Sequence, residues 1–323
     1  LSRTQSTRYA YTNSLVKLSD VSTTDLRDRF STRGIFLKTG PLTFAIRSAI
    51  PLVIDTTQQL YGASVLADNE EFADYYVELK QPRGLRKWYH PQVLFDFDGR
   101  LPFKPLPLAQ SFPMLEWGMN WCIANHCHNW LIIHAAVVEK NGQGVILPAP
   151  PGSGKSTLCA ALVGRGWRLL SDELAVIDPD TGKLIPIPRP VGLKNDSIKI
   201  IQTFLPEARF GPACKDTRKG TVAHMAASDA DCVNTKWVEP KWVVYPKYEA
   251  GSETVMVPHP KGDSLVQLAS NSFNNQVLGR RGFETLADLI DATESFDFRY
   301  SDLEEAIKTF DDLCTIGKGV ISA

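Results

Sequence analysis

Between residues 144 and 178 the chain passes from an apolar strand into a small-residue loop, then directly into an apolar helix. It continues through a second strand to an acidic pair. Val145–Leu147 forms the strand, Ala149-Pro150-Pro151-Gly152-Ser153-Gly154 the loop, and Lys155-Ser156-Thr157 opens the helix. So small and tightly bracketed a loop reads as part of an α/β unit, not as a Gly-Ser-Gly linker that happens to precede a lysine. The spacing of Gly152, Gly154, Lys155 and Ser156 is that of a phosphate-binding P-loop. In such a loop backbone N–H groups point inward and the helix start adds positive dipole. The lysine supplies a point charge and the hydroxyl a magnesium ligand. The strict template asks for glycine where Ala149 stands. Anion binding rests on the later amides, so the expectation survives that departure.

Two further features lie at short spacing from the loop. Ser171-Asp172-Glu173 ends the apolar strand Arg168–Leu170, with Asp172 17 positions after Lys155. That leaves room for one helix and one strand, and places the acids beside the phosphates. An acidic pair there can hold magnesium and take a hydroxyl proton; the bland alternative is a solvated turn acid. His134 lies inside the apolar run Leu131–Val137, 21 positions before Lys155. A lone histidine in an apolar strand is by default a satisfied core residue, and the spacing to the loop is what raises it to a candidate. Arg189 and Lys194, in a loop after the core strands, are candidates for a second phosphate-clamping cation. Arg218-Lys219-Gly220-Thr221 reads as a polar loop able to close over a ligand. Arg280-Arg281 reads as a surface pair, and Cys122, His126, Cys127 and His128 match no common zinc spacing.

Around this centre the pattern is that of an ordinary globular chain. Its 323 residues carry 35 Lys and Arg against 36 Asp and Glu. No global field favours nucleic acid or an anionic membrane. No apolar run is long enough to span a bilayer, and the polar first residues hold no signal core. Six scattered cysteines read as reduced thiols, so the expectation is a cytoplasmic protein. Residues 1–15 read as a frayed tail, and Ser22 as the cap of a short helix. From Gly34 onward, short apolar runs at Ile35–Leu37, Leu42–Ile46, Leu52–Ile54, Tyr75–Leu79 and Val93–Phe97 read as strands. Four prolines within 102–113 mark a boundary, and Met114–Trp130 has helical spacing. Strands are expected at Leu131–Val138, Gly144–Leu147, Arg168–Leu170, Leu174–Ile177, Lys183–Ile187, Lys241–Tyr245 and Thr254–Val257. Helices are expected at Thr157–Val163, Lys194–Phe204, Ser264–Ser272, Gly282–Ala292 and Leu303–Leu313. Residues 211–222 read as a polar loop.

Taken together, Ile133-His134-Ala135-Ala136-Val137, Gly144-Val145-Ile146-Leu147, the Gly-Lys-Ser loop and Arg165-Gly166-Trp167-Arg168-Leu169-Leu170-Ser171-Asp172-Glu173 resemble the HPr kinase/phosphorylase family. They are closer to the HPr-kinase-related kinases, a bacterial set that includes kinases modifying small peptides. The resemblance covers about residues 130–178, extends to 313 by general organisation, and does not visibly reach residues 1–105. It implies a fold like phosphoenolpyruvate carboxykinase: an α/β P-loop kinase core with a mixed sheet over 108–323, behind a β-rich region at 1–107. By matching positions it implies Asp172 as general base, Glu173 near the metal and His134 close to the phosphates. The departures are Glu173 for the family's second Asp, Ala-Ala after His134, and Ala149. The family's later Gly-rich loop, which engages HPr, has no visible counterpart, so neither HPr as acceptor nor the reverse phosphorolysis is expected.

The resulting expectation is a kinase that moves the γ-phosphate of ATP or GTP, with Mg2+, to a hydroxyl, on a serine of a peptide or protein. Asp172, His134 and Lys155 are its catalytic residues. Pro151, Gly152, Ser153, Gly154, Lys155, Ser156, Thr157 and Arg189 hold the nucleotide, and Ser156, Asp172 and Glu173 the metal. The family's hexamers add the expectation of self-association; nucleic acid and membrane partners are not expected. The rivals are a small-metabolite kinase on the same core, a non-enzymatic nucleotide-binding or sensing module, and a plain nucleotide hydrolase.

Overall fold

A computed structural model describes residues 16–67, 72–84 and 89–316. The expected tail at 1–15 lies outside the described residues. Ser22 caps as its position suggests: its Oγ accepts the Asp25 N–H at 3.2 Å and opens α1 (Thr23–Ser31). Strands β1 (Ile35–Thr39), β2 (Leu42–Ser48), β3 (Tyr75–Lys80), β4 (Gln92–Phe97) and β5 (Leu106–Pro107) form a first sheet in that order. Leu52-Val53-Ile54, expected as strand, instead lies in α2 (Pro51–Tyr61). Pro51 starts the helix without losing a needed N–H, and Val53, Thr57 and Leu60 fall on its buried side. The topology gives this helix its place. β2 and β3 pair in parallel, and a parallel pair needs a crossover.

Helix α3 (Ser111–His126) lies over this sheet and shares its core. Gly118 is where it comes closest, since a Cβ there would sit 2.0 Å from the Phe95 ring. The same apolar cluster takes in Ile132, Leu174, Val176, Ile185 and Ile187 from the second sheet.

The second sheet is mixed. Its strands are β6 (Leu131–Lys140), β7 (Gln143–Pro148), β8 (Arg168–Ser171), β9 (Leu174–Ile177), β10 (Leu184–Ile185), β14 (Glu239–Tyr248), β15 (Val255–Pro258) and β16 (Glu294–Tyr300). The order is β10-β9-β6-β7-β14-β16-β15, with β8 pairing β6. Asn141 and Gly142, both at positive φ (56° and 80°), make the tight turn from β6 to β7. β7, β14 and β16 run parallel, and the remaining pairs are antiparallel. Alternation along the central strands feeds two apolar layers. Val145, Leu147, Trp242, Val244, Phe296 and Phe298 meet α4 (Lys155–Gly164) and α10 (Leu303–Ile316). Ile133, Val137, Ile146 and Val243 meet α7 (Lys261–Asn271) and α9 (Arg280–Ala292). Burial on both faces explains why these strands read as nearly continuous apolar runs.

The carboxy-terminal helices appear where expected, with β16 between α9 and α10 as an addition. The stretches on either side of the expected helix Lys194–Phe204, read as a Pro-rich loop before it and a polar loop at 211–222 after it, hold β11 (Val191–Lys194), β12 (Cys214–Thr217) and β13 (Gly220–Met225), which form a small antiparallel sheet. Helix α5 (Asp196–Phe204) follows β11, and α6 (Asp229–Val233) and α8 (Asn275–Leu278) are short. Among the described residues no helix is long and apolar enough to cross a membrane.

Candidate active site

The loop between β7 and α4 is tied down from outside. The Ser153 carbonyl accepts the Tyr248 N–H at 2.8 Å, and the Gly154 carbonyl accepts the Tyr300 hydroxyl at 3.1 Å. Those tyrosines end the parallel strands β14 and β16, so the rigid sheet sets the position of the loop. Gly154 has φ of 90°, and a Cβ there would lie 2.5 Å from the Tyr300 hydroxyl. Backbone shape and close approach both require glycine. Ala149 is absent from the positive-φ residues, so alanine fits that position without strain.

The acidic pair is placed by a change of partner along β6. His134 of β6 faces Leu174 of β9, while Val137 faces Ser171 of β8. In the gap between those registers the chain turns out of the sheet, carrying Asp172 and Glu173 toward the loop. The Ser171 hydroxyl holds this turn by accepting the Leu174 N–H at 3.0 Å.

Three predicted residues converge there. His134 Nε2 lies 2.9 Å from Glu173 Oε2 and 3.3 Å from Lys155 Nζ, and Lys155 Nζ lies 4.0 Å from the same Glu173 oxygen. One ring nitrogen cannot donate to Glu173 and accept from Lys155 at once. With its hydrogen on the carboxylate, His134 orients Glu173 and leaves the buried ammonium of Lys155 with donors to spare. Burial pushes the Glu173 carboxyl up, but the His134 hydrogen bond and the Lys155 charge outweigh it and hold the group well below the usual carboxylate range.

Asp172 is the opposite case. It is 5% exposed; its Oδ2 accepts the Gly192 N–H of β11 at 3.0 Å, and its Oδ1 is buried with no partner. Burial, then the negative charge of Glu173, push its carboxyl up to about 6, against the pull of Lys155. Adjacent carboxyls thus differ sharply in proton affinity, a division that suits one to a proton-transfer role and the other to a fixed negative charge.

A cavity of about 750 Å³ opens over the loop, large enough for a nucleotide-sized molecule. His134, Pro151, Gly152, Ser153, Gly154, Lys155, Ser156, Thr157 and Glu173 line it, as does Lys194. Its far wall is Ile200 and Phe204 of α5, Tyr248, Tyr300 and Leu303, which sequence reasoning missed. Tyr248 and Ile200 are 49% and 46% exposed, apolar surface left open toward the cavity. The one signal available was position. Tyr248 and Tyr300 end parallel strands, where α/β sheets place their ligands.

Arg189 does not line this cavity. It is placed beyond the acidic pair, in a recess of about 20 Å³ shared with Asp172, Glu173, Trp117, Asn120 and His224. Gly192, Lys194 and Glu173 border both spaces, so Glu173 is part of the wall between them, while Asp172 borders the recess and not the cavity over the loop. Lys219, from the turn between β12 and β13, stands over the Trp117 ring at 5.4 Å. Arg280 and Arg281 pair with Glu284 and Asp180 at the surface. Among the described residues no group of three or more His, Cys, Asp or Glu side chains is arranged to hold a metal by itself.

A protein-family profile described as SynChlorMet cassette protein ScmC matches residues 114–188, under a quarter of the chain. No curated protein matches. A structure described as the Hpr(Ser) kinase/phosphatase from Coxiella burnetii is 12% identical, with a TM-score of 0.29, over 58% of this chain and 99% of that one. At that score the likeness carries no argument about this chain.

Proposed function

We propose that this chain is a nucleotide-dependent phosphotransferase built on a P-loop, moving the γ-phosphate of ATP or GTP to a hydroxyl. The observation that carries the reading is the convergence of Lys155, His134 and Glu173 within 4.0 Å at the mouth of the glycine loop, beside the unpartnered oxygen of Asp172. The motif resemblance to HPr-kinase-related kinases supports it and adds a serine of a peptide or protein as the acceptor.

In this reading the loop amides from Gly152 to Ser156 and the Lys155 ammonium hold the phosphates. Tyr248, Ile200 and Phe204 lie where the base would rest. The acceptor oxygen forms its bond to the γ-phosphorus as the bond from that phosphorus to the bridging oxygen breaks. The acceptor proton passes to Asp172, and the nucleoside diphosphate leaves. Ser156, with Glu173 or Asp172, would hold a magnesium ion, a cation that binds through one or two carboxylates. When bound, it adds charge neutralisation to that of Lys155. Positioning and electrostatics, not covalent chemistry, supply most of the barrier reduction.

The test is transfer of label from γ-labelled nucleotide, with nucleotide affinity measured alongside. Asp172→Asn is expected to cut transfer by about 10²–10⁴-fold while keeping nucleotide affinity within a few-fold. Lys155→Met is expected to weaken both. Transfer by Asp172→Asn at the wild-type rate would end this reading. Binding without any turnover would favour a sensing module, and phosphate release without an acceptor a hydrolase.

A further inference from the structure

Two lysines beside Glu173 have no anionic partner. Lys194, the last residue of β11, is half-buried and borders both the cavity over the loop and the recess behind it. Lys219 lies in the turn between β12 and β13, and its ammonium stands 5.4 Å from the centre of the Trp117 ring. Trp117 and Asp172 line the same recess, so Lys219 is on the Asp172 side of Glu173. Among the described residues neither ammonium makes a hydrogen bond or an ion pair. With Lys155 they bring three positive charges around one ionised carboxylate, Glu173. The groups feel one another: burial and then repulsion from Lys194 lower the Lys219 ammonium, with Glu173 opposing and Lys155 adding to the push.

Exposed lysines usually spread apart, but the backbone beneath these two is pinned. The Thr217 hydroxyl donates to the Gly220 carbonyl at 2.7 Å and accepts the Lys219 N–H at 3.0 Å. Asn195, next to Lys194, donates its N–H to the Thr221 carbonyl at 2.9 Å and accepts the Thr221 N–H on its side-chain oxygen at 3.0 Å. Gly220 has φ of 83°, and a Cβ there would lie 2.2 Å from that same oxygen, so the turn is pressed against Asn195. From the other side Gln110 donates to the Asp216 carbonyl at 3.0 Å, and the Cys214 thiol donates to the Ala109 carbonyl at 3.2 Å. The turn therefore cannot carry its lysine away without breaking these bonds. Like charges gathered on a fixed frame suit an anion that brings more than one negative charge. Arg189, expected from the sequence as a clamp of this kind, is 6% exposed and donates to Asn120, too deep to serve.

We infer that Lys194 and Lys219 hold the terminal phosphoryl group of the nucleotide, and that Lys219 is a further catalytic residue. This inference rests on the phosphotransferase reading for the direction of transfer. Lys155 neutralises charge at the loop, Lys194 serves both spaces, and Lys219 meets the group on the side where Asp172 takes the acceptor proton. The phosphoryl oxygens thus keep a cation within reach as the bond to the bridging oxygen breaks and the bond to the acceptor forms.

The experiment uses the full chain with magnesium and titrates ADP and the non-hydrolysable β,γ-imido analogue of ATP by calorimetry. The ratio of the two Kd values reads the terminal phosphoryl group alone. The unaltered protein is expected to prefer the analogue by about 10-fold or more. Lys219→Met and Lys194→Met are each expected to bring that ratio near one while ADP affinity stays within about two-fold, and Lys219→Arg to keep most of the preference. In transfer of label from γ-labelled ATP, Lys219→Met is expected to lower kcat by about 10²-fold. Retained ADP affinity shows that a variant is folded. No preference for the analogue in the unaltered protein overturns the inference and needs no variant. So does a preference that survives both methionine variants, or parallel loss of ADP and analogue affinity in both, which would make the lysines general supports of the site. A preference that depends on Lys219 with no label transferred sustains the clamp and counts against the phosphotransferase reading. Transfer by Lys219→Met at the unaltered rate sinks the inference and leaves that reading standing, and absence of any nucleotide binding sinks both.

Discussion

Asp172 carries the sharpest conflict between stability and function. Its carboxyl is raised from an ordinary value near 4 to about 6, chiefly by burial. Between those values the folded state holds a proton that the unfolded state has released. Stability conferred at low pH is therefore lost as pH rises through that window, and above about 6 the buried charge is a net cost. Asp172→Asn keeps an oxygen for the Gly192 N–H and removes the charge. It is expected to raise the melting temperature at pH 7.5 by a few degrees, the counterpart of about 1–2 kcal/mol in a chain of this size, and to leave it nearly unchanged at pH 4. Thermal unfolding at the two pH values checks this, and a variant less stable at pH 7.5 would contradict it. The ionised form is the one that accepts a proton, so the transfer rate is expected to rise with pH through an acid limb near 6. That limb belongs to the coupled Asp172 and Glu173 pair and not to either alone. The place of Asp172 was legible because one helix and one strand fix the distance from Lys155. The place of Arg189 was not. Pro188 and Pro190 made its surroundings read as loop, and nothing local reveals that α3, some seventy positions earlier, supplies Asn120 and Glu116 as its neighbours.

The unit β7–loop–α4 depends on glycine in two different ways. Gly152 and Gly154 share φ of 90°, but a Cβ at Gly152 would meet nothing within 4 Å, while one at Gly154 would press on Tyr300 and on Tyr248 Cβ at 2.9 Å. Gly152→Ala is expected to cost about 1 kcal/mol, from backbone strain alone. Gly154→Ala is expected to cost about 2–4 kcal/mol, since the loop must also move off the ends of β14 and β16, and to weaken nucleotide binding at least several-fold. Urea midpoints and nucleotide titrations of the two variants separate strain from clash; equal losses would show that the tyrosines yield freely. These elements were legible because a strand, a glycine loop and an apolar helix follow one another without a gap. β16 was missed although Phe296, Phe298 and Tyr300 alternate with Asp297 and Arg299, because the apolar helices on both sides suggested one helical tail. β11, β12 and β13 were missed for a different reason. Their runs are short and β12 carries Lys215 and Asp216, so long-range pairing, not local propensity, makes them strands.

The amino-terminal sheet reaches the site through a chain of side chains. Tyr61 of α2, 1% exposed, donates to Glu116 of α3, which stands beside Arg189 on the wall of the recess. Tyr61→Phe leaves a buried carboxyl oxygen without its donor. It is expected to cost about 1–3 kcal/mol while leaving nucleotide affinity unchanged. Urea unfolding and a nucleotide titration check this, and a variant as stable as the unaltered protein would contradict it. A larger consequence follows from the core. The cluster that holds Phe30, Phe44, Phe95 and Leu79 is continuous with Leu115, Met119 and Ile123 of α3, and with Ile132, Val176, Ile185 and Ile187 of the second sheet. The prolines at 102–113 mark a change of architecture, but the apolar surface does not stop there. A fragment of residues 108–323 would expose one face of α3 and the edge formed by β9 and β10. At about 1.5–3 kcal/mol for each fully buried aliphatic or aromatic side chain, those losses exceed the 5–15 kcal/mol by which a native fold is ordinarily stable. The fragment is therefore expected to be aggregated or without a cooperative transition, and the full chain to unfold in one transition by both calorimetry and circular dichroism. A soluble fragment with a sharp transition and unaltered nucleotide affinity would instead make the amino-terminal region a separable module.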